Sequence, residues 1–209
     1  MPSNVLITAC VSIAADDACI TRTAMGASRQ STLEKLQCAA RANAVRLVYL
    51  DEAGFAASPP VQRAWSPRGL PHCVEPRLHC RRSVLGALDF GANALTHHVT
   101  SSSIKGGAVV EFLEQIALQG DERPTVVVLD NASIHHAIDP EVHERWLREH
   151  RMQLFYLPPY SPELNLIEIV WKQAKYHWRH FVTWTKETID DEVRTLLGAY
   201  GIKFQINFT

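Results

Sequence analysis

No apolar run in the chain approaches the roughly 20 residues needed to cross a bilayer, so the sequence carries no helical membrane span. There is no glycine-rich loop of Walker type either, and nucleotide hydrolysis is not indicated. Cysteine is sparse and unpatterned. Cys10, Cys19, Cys38, Cys73 and Cys80 form no Cys-x-x-Cys pair, and their odd count argues for reduced thiols in a cytoplasm. His72-Cys73 and His79-Cys80 invite a zinc reading, but their spacing matches no structural zinc pattern. Net charge is nearly absent at -1, so the overall balance does not mark a nucleic-acid binder. The mildly apolar stretch from Val5 to Ala15 lacks the basic segment that opens a signal peptide, and is read as a poorly packed leader.

What the chain does have is a composition suited to one domain: 209 residues, 46% hydrophobic and 21% charged, enough to bury a substantial core. Three carboxylates stand out within it. Asp51 closes the apolar run Val45 to Leu50, Asp130 closes Thr125 to Leu129, and Glu168 lies in Asn165-Leu166-Ile167-Glu168-Ile169-Val170-Trp171. An acid at the end of a buried strand faces the carboxyl edge of a sheet, where open α/β sheets build their sites. Three acids meeting there would hold hard divalent cations, the arrangement by which many nucleases activate water and stabilise the leaving oxygen. Plainer roles stand beside this one. An Asp after a strand often opens a turn, and Asn165 with Glu168 has the spacing of a capping box.

Four blocks give these acids a context: Leu50-Asp51-Glu52-Ala53-Gly54-Phe55, Ala64-Trp65-Ser66-Pro67-Arg68-Gly69, Leu129-Asp130-Asn131-Ala132-Ser133-Ile134-His135, and Leu157-Pro158-Pro159-Tyr160-Ser161-Pro162-Glu163-Leu164-Asn165-Leu166-Ile167-Glu168. In this order they resemble the DDE transposases of bacterial insertion sequences, in the mariner superfamily. The resemblance runs from about Leu33 to the end of the chain. It implies a ribonuclease H-like fold, two Mg²⁺ or Mn²⁺ ions held by Asp51, Asp130 and Glu168, and metal-dependent DNA cleavage and strand transfer. It also implies transposon ends and target DNA as partners, a homodimer, and a bacterial cytoplasmic location at the nucleoid. Asn131, His135 and Asn165 would support the site, with helix capping an equal reading of Asn131. Two departures are visible. Leu166 replaces the Pro usual in the family at the first helical position, a change expected to cost little. Only 44 residues precede Val45, too few for the family's upstream helix-turn-helix arm, so specific reading of transposon ends is not expected of this chain. A DNA-binding remnant without mobility and a ribonuclease H-like nuclease with another substrate are the alternative readings.

Charge distribution supplies candidate DNA contacts. Arg63 to Arg82 holds five arginines against one acid, and Trp171 to Lys186 holds four cations and no acid. Arg63, Arg68, Arg81, Arg82, Lys172, Lys175 and Arg179 are the candidates for phosphate contacts. Trp171, Trp178 and Trp184, interleaved with the second group, are read as core.

Periodicity predicts strands at Val45–Leu50, Ser83–Phe90, Ala94–Thr100, Thr125–Leu129 and Met152–Leu157, the second and third joined as a hairpin through Gly91-Ala92-Asn93. It predicts helices at about Gly107–Leu118, Pro140–His150, Leu166–His177 and Lys186–Tyr200. This order suits an α/β mixed sheet with helices on both faces. Residues 1–32 are expected to form a leader and residues 33–209 the catalytic domain. Glu52, alternating away from Asp51 on its strand, is given a surface or structural role.

Overall fold

The computed structural model describes residues 22–56, 68, 80–132, 134–135, 138–178 and 187–208, with side chains from Ser28 onward. Helix α1 (Arg22–Arg41) leads into β1 (Arg46–Ala56), β2 (Arg81–Asp89) and β3 (Ala94–Thr100). Then follow α2 (Gly106–Leu118), β4 (Thr125–Leu129), α3 (Pro140–His150), β5 (Met152–Tyr156), a 3₁₀ turn (Pro162–Leu164), α4 (Ile167–Trp178) and α5 (Ile189–Gly198). The five strands form one sheet in the order β3-β2-β1-β4-β5. β1 pairs antiparallel with β2 and parallel with β4, so the sheet is mixed.

Strand periodicity divides the core between two faces. Tyr49, Ala53 and Phe55 of β1 point toward α1, α4 and α5, where they meet Leu36, Trp171, Val193 and Leu197. Val48 and Leu50 point the other way, toward Phe112, Leu113 and Ile116 of α2 and Trp146 of α3. Both layers are apolar, which is why the central strand reads as a continuous hydrophobic run.

The structure changes three sequence expectations. Helix α1 has no counterpart among the predicted elements. It also spans the expected 32/33 boundary, with Thr32, Leu33, Leu36 and Ala40 all buried. β1 does not end at Asp51. Its parallel partner β4 stops at Leu129, but antiparallel pairing with β2 carries β1 on to Ala56, including Asp51 opposite Gly86. The last helix begins at Ile189 rather than near Lys186. The hairpin is as expected, with Asn93 left-handed at φ 49° and the Asp89 carboxylate accepting from the Ala92 N–H.

Candidate active site

The parallel register between β1 and β4 matches Val48 with Val127 and Tyr49 with Val128. Continued along both chains, that offset puts Asp51 level with Asp130. Asp51 shares the face of Tyr49 and Ala53, the side on which α4 packs. There the Trp171 indole lies against Gly86, the residue paired with Asp51. A Cβ at Gly86 would come within 2.4 Å of the Trp171 ring, so only glycine admits it. Seating Trp171 in this way brings Glu168, one turn earlier, to the same edge.

Asp51, Asp130 and Glu168 accordingly line one cavity of about 500 Å³, closed by Asn131, Ala132, Asn165 and the Pro158–Pro162 loop. Their environments differ. Asp51 is 8% exposed, whereas the Asp130 side chain is about half exposed and Glu168 is exposed. Burial, followed by the charge of Glu168, pushes the Asp51 carboxyl up to about 7; the Glu52 backbone N–H opposes the rise, while the Glu52 and Asp130 charges add to it. An acid raised by its neighbours in this way is short of positive charge.

The donor set fits a hard cation: all three are carboxylate oxygens, and the buried amide oxygen of Asn165 beside them has no hydrogen-bond partner. Among the described residues, no three His, Cys, Asp or Glu side chains are close enough to enclose an ion by themselves. A cation here would complete its shell from water and substrate phosphate, the habit of Mg²⁺.

Asn165 does not cap α4. Its amide nitrogen donates to the Leu50 carbonyl at 3.1 Å, while the Glu168 N–H bonds to the backbone oxygen of Asn165. The capping box is therefore not formed. The side chain instead ties the start of α4 to β1, one residue before Asp51. The carboxylate of Glu168 makes no hydrogen bond or ion pair among the described residues.

His135 is fully buried, with Nδ1 at 2.8 Å from the Asp130 carboxylate and Nε2 at 3.1 Å from Glu52. Burial alone would depress the imidazole, but the bonds to Asp130 and Glu52 outweigh it and raise it to about 10. Sequence reasoning placed Glu52 correctly on the opposite face but missed its reach to His135, 83 positions away.

The candidate DNA contacts lie in different settings. Lys172 and Lys175 are exposed and line a groove of about 530 Å³ that shares Glu168 and Asn165 with the acid cavity. Arg81 is exposed and lies over Gly54 on the opposite face, beside Ser83 and Ser101 to Ser103. Arg82 is not available. It is buried, ion-paired to Asp190 of α5 and bonded to the Cys80 sulfur, because its place in β2 turns it inward opposite Phe55. Arg68 is exposed in a turn. Arg63, Arg179, Trp184 and the residues His72, Cys73 and His79 lie outside the described residues. Trp171 and Trp178 are core, as expected. Tyr160 was not singled out in the sequence, yet it is 95% exposed at the cavity rim, with a left-handed φ of 60°. A left-handed non-glycine residue between prolines is a signal that only coordinates reveal.

The sequence profile of the DDE superfamily endonucleases matches residues 46–189, which include all three acids. The chain belongs to that family. Solved structures similar to this DDE superfamily member include the Mos1 strand transfer complex, at 15% identity and TM-score 0.60, with 82% of this chain and 53% of that one covered. The Mos1 mariner paired-end complex with Mn is similar at 17% identity and TM-score 0.59, covering 82% and 54%. The simian T-cell lymphotropic virus intasome, in complex with a PP2A regulatory subunit, follows at 10% identity and TM-score 0.50, covering 78% and 50%. These likenesses establish the ribonuclease H-like fold, and the chain spans about half the length of the Mos1 chains. No curated protein matches its sequence. None of its described helices is long and apolar enough to cross a membrane.

Proposed function

We propose that this DDE superfamily endonuclease cuts and joins DNA as an insertion-sequence transposase catalytic domain, with Asp51, Asp130 and Glu168 holding two divalent ions, Mg²⁺ or Mn²⁺. The observation that carries this reading is the single cavity lined by the three acids, in which the buried Asp51 carboxyl is pushed up to about 7. Such a site gains when cations replace protons. When bound, the ions would activate the attacking water and offset charge on the leaving oxygen. The chain's own residues supply the rest. Asp51 is held by the paired strands, Asp130 by His135 and the Ala132 N–H, and Glu168 by the docking of Trp171 on Gly86. Lys172 and Lys175 would take backbone phosphates along the neighbouring groove.

Transposon ends and target DNA are the proposed substrates, and a homodimer in the bacterial cytoplasm, at the nucleoid, the proposed working form. The Mos1 complexes, described as paired-end and strand transfer complexes and solved with Mn or Mg, support this reading. The deciding experiment is strand nicking of duplex DNA with Mg²⁺, Mn²⁺ or chelator, beside an RNA–DNA hybrid of the same sequence. Metal-dependent nicking of the duplex that is lost in Asp51→Asn supports the proposal. Cleavage of the hybrid alone would assign the site to a ribonuclease instead.

A further inference from the structure

We propose that Glu52 is a positioning residue for this site: acting through His135, it fixes the Asp130 carboxylate from the opposite face of the sheet. The proposal rests on the reading of Asp130 as a cation-holding acid and extends it to a group that touches neither cation nor substrate.

Asp130 has less support from its own backbone than Asp51. Asp51 lies within a paired strand, whereas Asp130 lies just past the end of β4, with its side chain about half exposed. Groups carried on loops need locked partners to reach catalytic precision. His135 is such a partner. It folds back onto Asp130 through a tight turn, with its N–H on the Ala132 carbonyl at 3.0 Å, and its own carbonyl accepts the Tyr156 hydroxyl at 2.9 Å. Nδ1 then approaches Asp130 Oδ1, the oxygen that also takes the Ala132 N–H.

One contact does not fix the ring. Nδ1 has two acceptors within reach, the Asp130 carboxylate at 2.8 Å and the Asp130 backbone oxygen at 3.2 Å, so it could choose either. Glu52 removes the ambiguity by anchoring Nε2 at 3.1 Å. Both ring nitrogens are thereby held, Nδ1 by Asp130 on one side of the sheet and Nε2 by Glu52 on the other. Partners of this kind, one bond behind a metal-holding group, typically change metal affinity or activity by about 10–100-fold when removed.

The test is a Mn²⁺ titration followed by melting temperature, together with kcat and KM for duplex nicking. Glu52→Ala and Glu52→Asp both break the contact, the second by shortening the side chain while keeping its charge. Each should weaken the Mn²⁺ midpoint by about 10–100-fold and lower kcat, with KM for DNA unchanged. Glu52→Gln offers an acceptor at the same reach and should stay within about threefold of the wild type. His135→Ala and the Glu52→Ala/His135→Ala double variant should have the same midpoint, because Glu52 acts only through His135. A lower metal-free melting temperature with an unchanged Mn²⁺ midpoint in both contact-breaking variants would reduce Glu52 to a packing role and overturn the proposal. If the wild type itself gains nothing from Mn²⁺, or Asp51→Asn gains as much as the wild type, the cation site fails first and the proposal falls with it.

Discussion

Asp51 and Glu52 are consecutive acids on one strand, and the two faces of the sheet treat them in opposite ways. On the face of α4 and α5, Asp51 is buried near Glu168 and Asp130, and its carboxyl is pushed up to about 7. On the face of α2 and α3, Glu52 pairs with the charged His135 and shares its surroundings with Arg81. One face compensates its acid with protein cations; the other leaves the compensation to something from outside. In an uncharacterised sheet edge, the acid the protein leaves uncompensated is the one to suspect of function.

The largest test of this contrast is Asp51→Asn. It should reduce nicking by about 10³-fold or more, since metal-held charge stabilisation amounts to several kcal/mol and each ~1.4 kcal/mol is a factor of ten. The same change should stabilise the metal-free protein at pH 8. Raising the Asp51 carboxyl from 3.8 to about 7 corresponds to at most about 4 kcal/mol of strain in the charged form. Urea midpoints of the two proteins measure it, and a destabilised variant would break the comparison.

The faces should also differ in their pH windows. The native Asp51 keeps a proton that the unfolded chain gives up near 3.8, so metal-free stability should fall as pH rises from about 4 to about 7. His135 is raised from 6.5 to about 10, so its contribution is present in full below about 6.5 and is lost as pH rises through about 10. Two successive declines in the urea midpoint are expected. Mn²⁺ should flatten the first, and Glu52→Ala should weaken the second.

Gly86→Ala sharpens the comparison from the packing side. The new Cβ meets the Trp171 ring at 2.4 Å, so the indole or the strand must shift, at about 1–3 kcal/mol. Nicking should fall as well, because the shift moves Glu168. Ala87 faces the other layer, so Ala87→Gly should leave that alignment alone.

Glu168→Gln should change stability by no more than about 0.5 kcal/mol, since the exposed side chain makes no hydrogen bond or ion pair among the described residues, yet nicking should collapse. Retained nicking would remove Glu168 from the site. Smallest in its effect on the fold is the double replacement of Lys172 and Lys175. It should leave melting unchanged and lower the slope of log affinity against log salt by about two.

The strands were legible because a sheet covered on both faces writes near-continuous apolar runs, as at Thr125 to Leu129. The acids were legible through the blocks around them. Helix α1 was not, because the stripe buried among its described side chains, Thr32, Leu33, Leu36 and Ala40, is narrow and lies within a largely polar sequence. The length of β1 was hidden for another reason: pairing with β2 at Arg81 to Gly86 is a long-range choice that no local pattern announces. Asn165 has the spacing of a cap, but its amide nitrogen is turned to the Leu50 carbonyl and its Oδ1 accepts no helix N–H. The Glu52–His135 contact belongs to the same class, since a separation of 83 positions leaves no local trace.

The Trp171 seat on Gly86 bears on how such a site can change over time. An indole lodged against a bare backbone works like a key in a keyway: α4 is either docked or withdrawn, with no gradual slide between. The spacing of Asp51 and Glu168 is therefore hard to adjust by small mutations, whereas the Pro158–Pro162 loop on the far rim, with Tyr160 in the open, carries no comparable lock. Divergence in the size or shape of the accepted strand should accumulate on that rim, while the helix side keeps its dimensions.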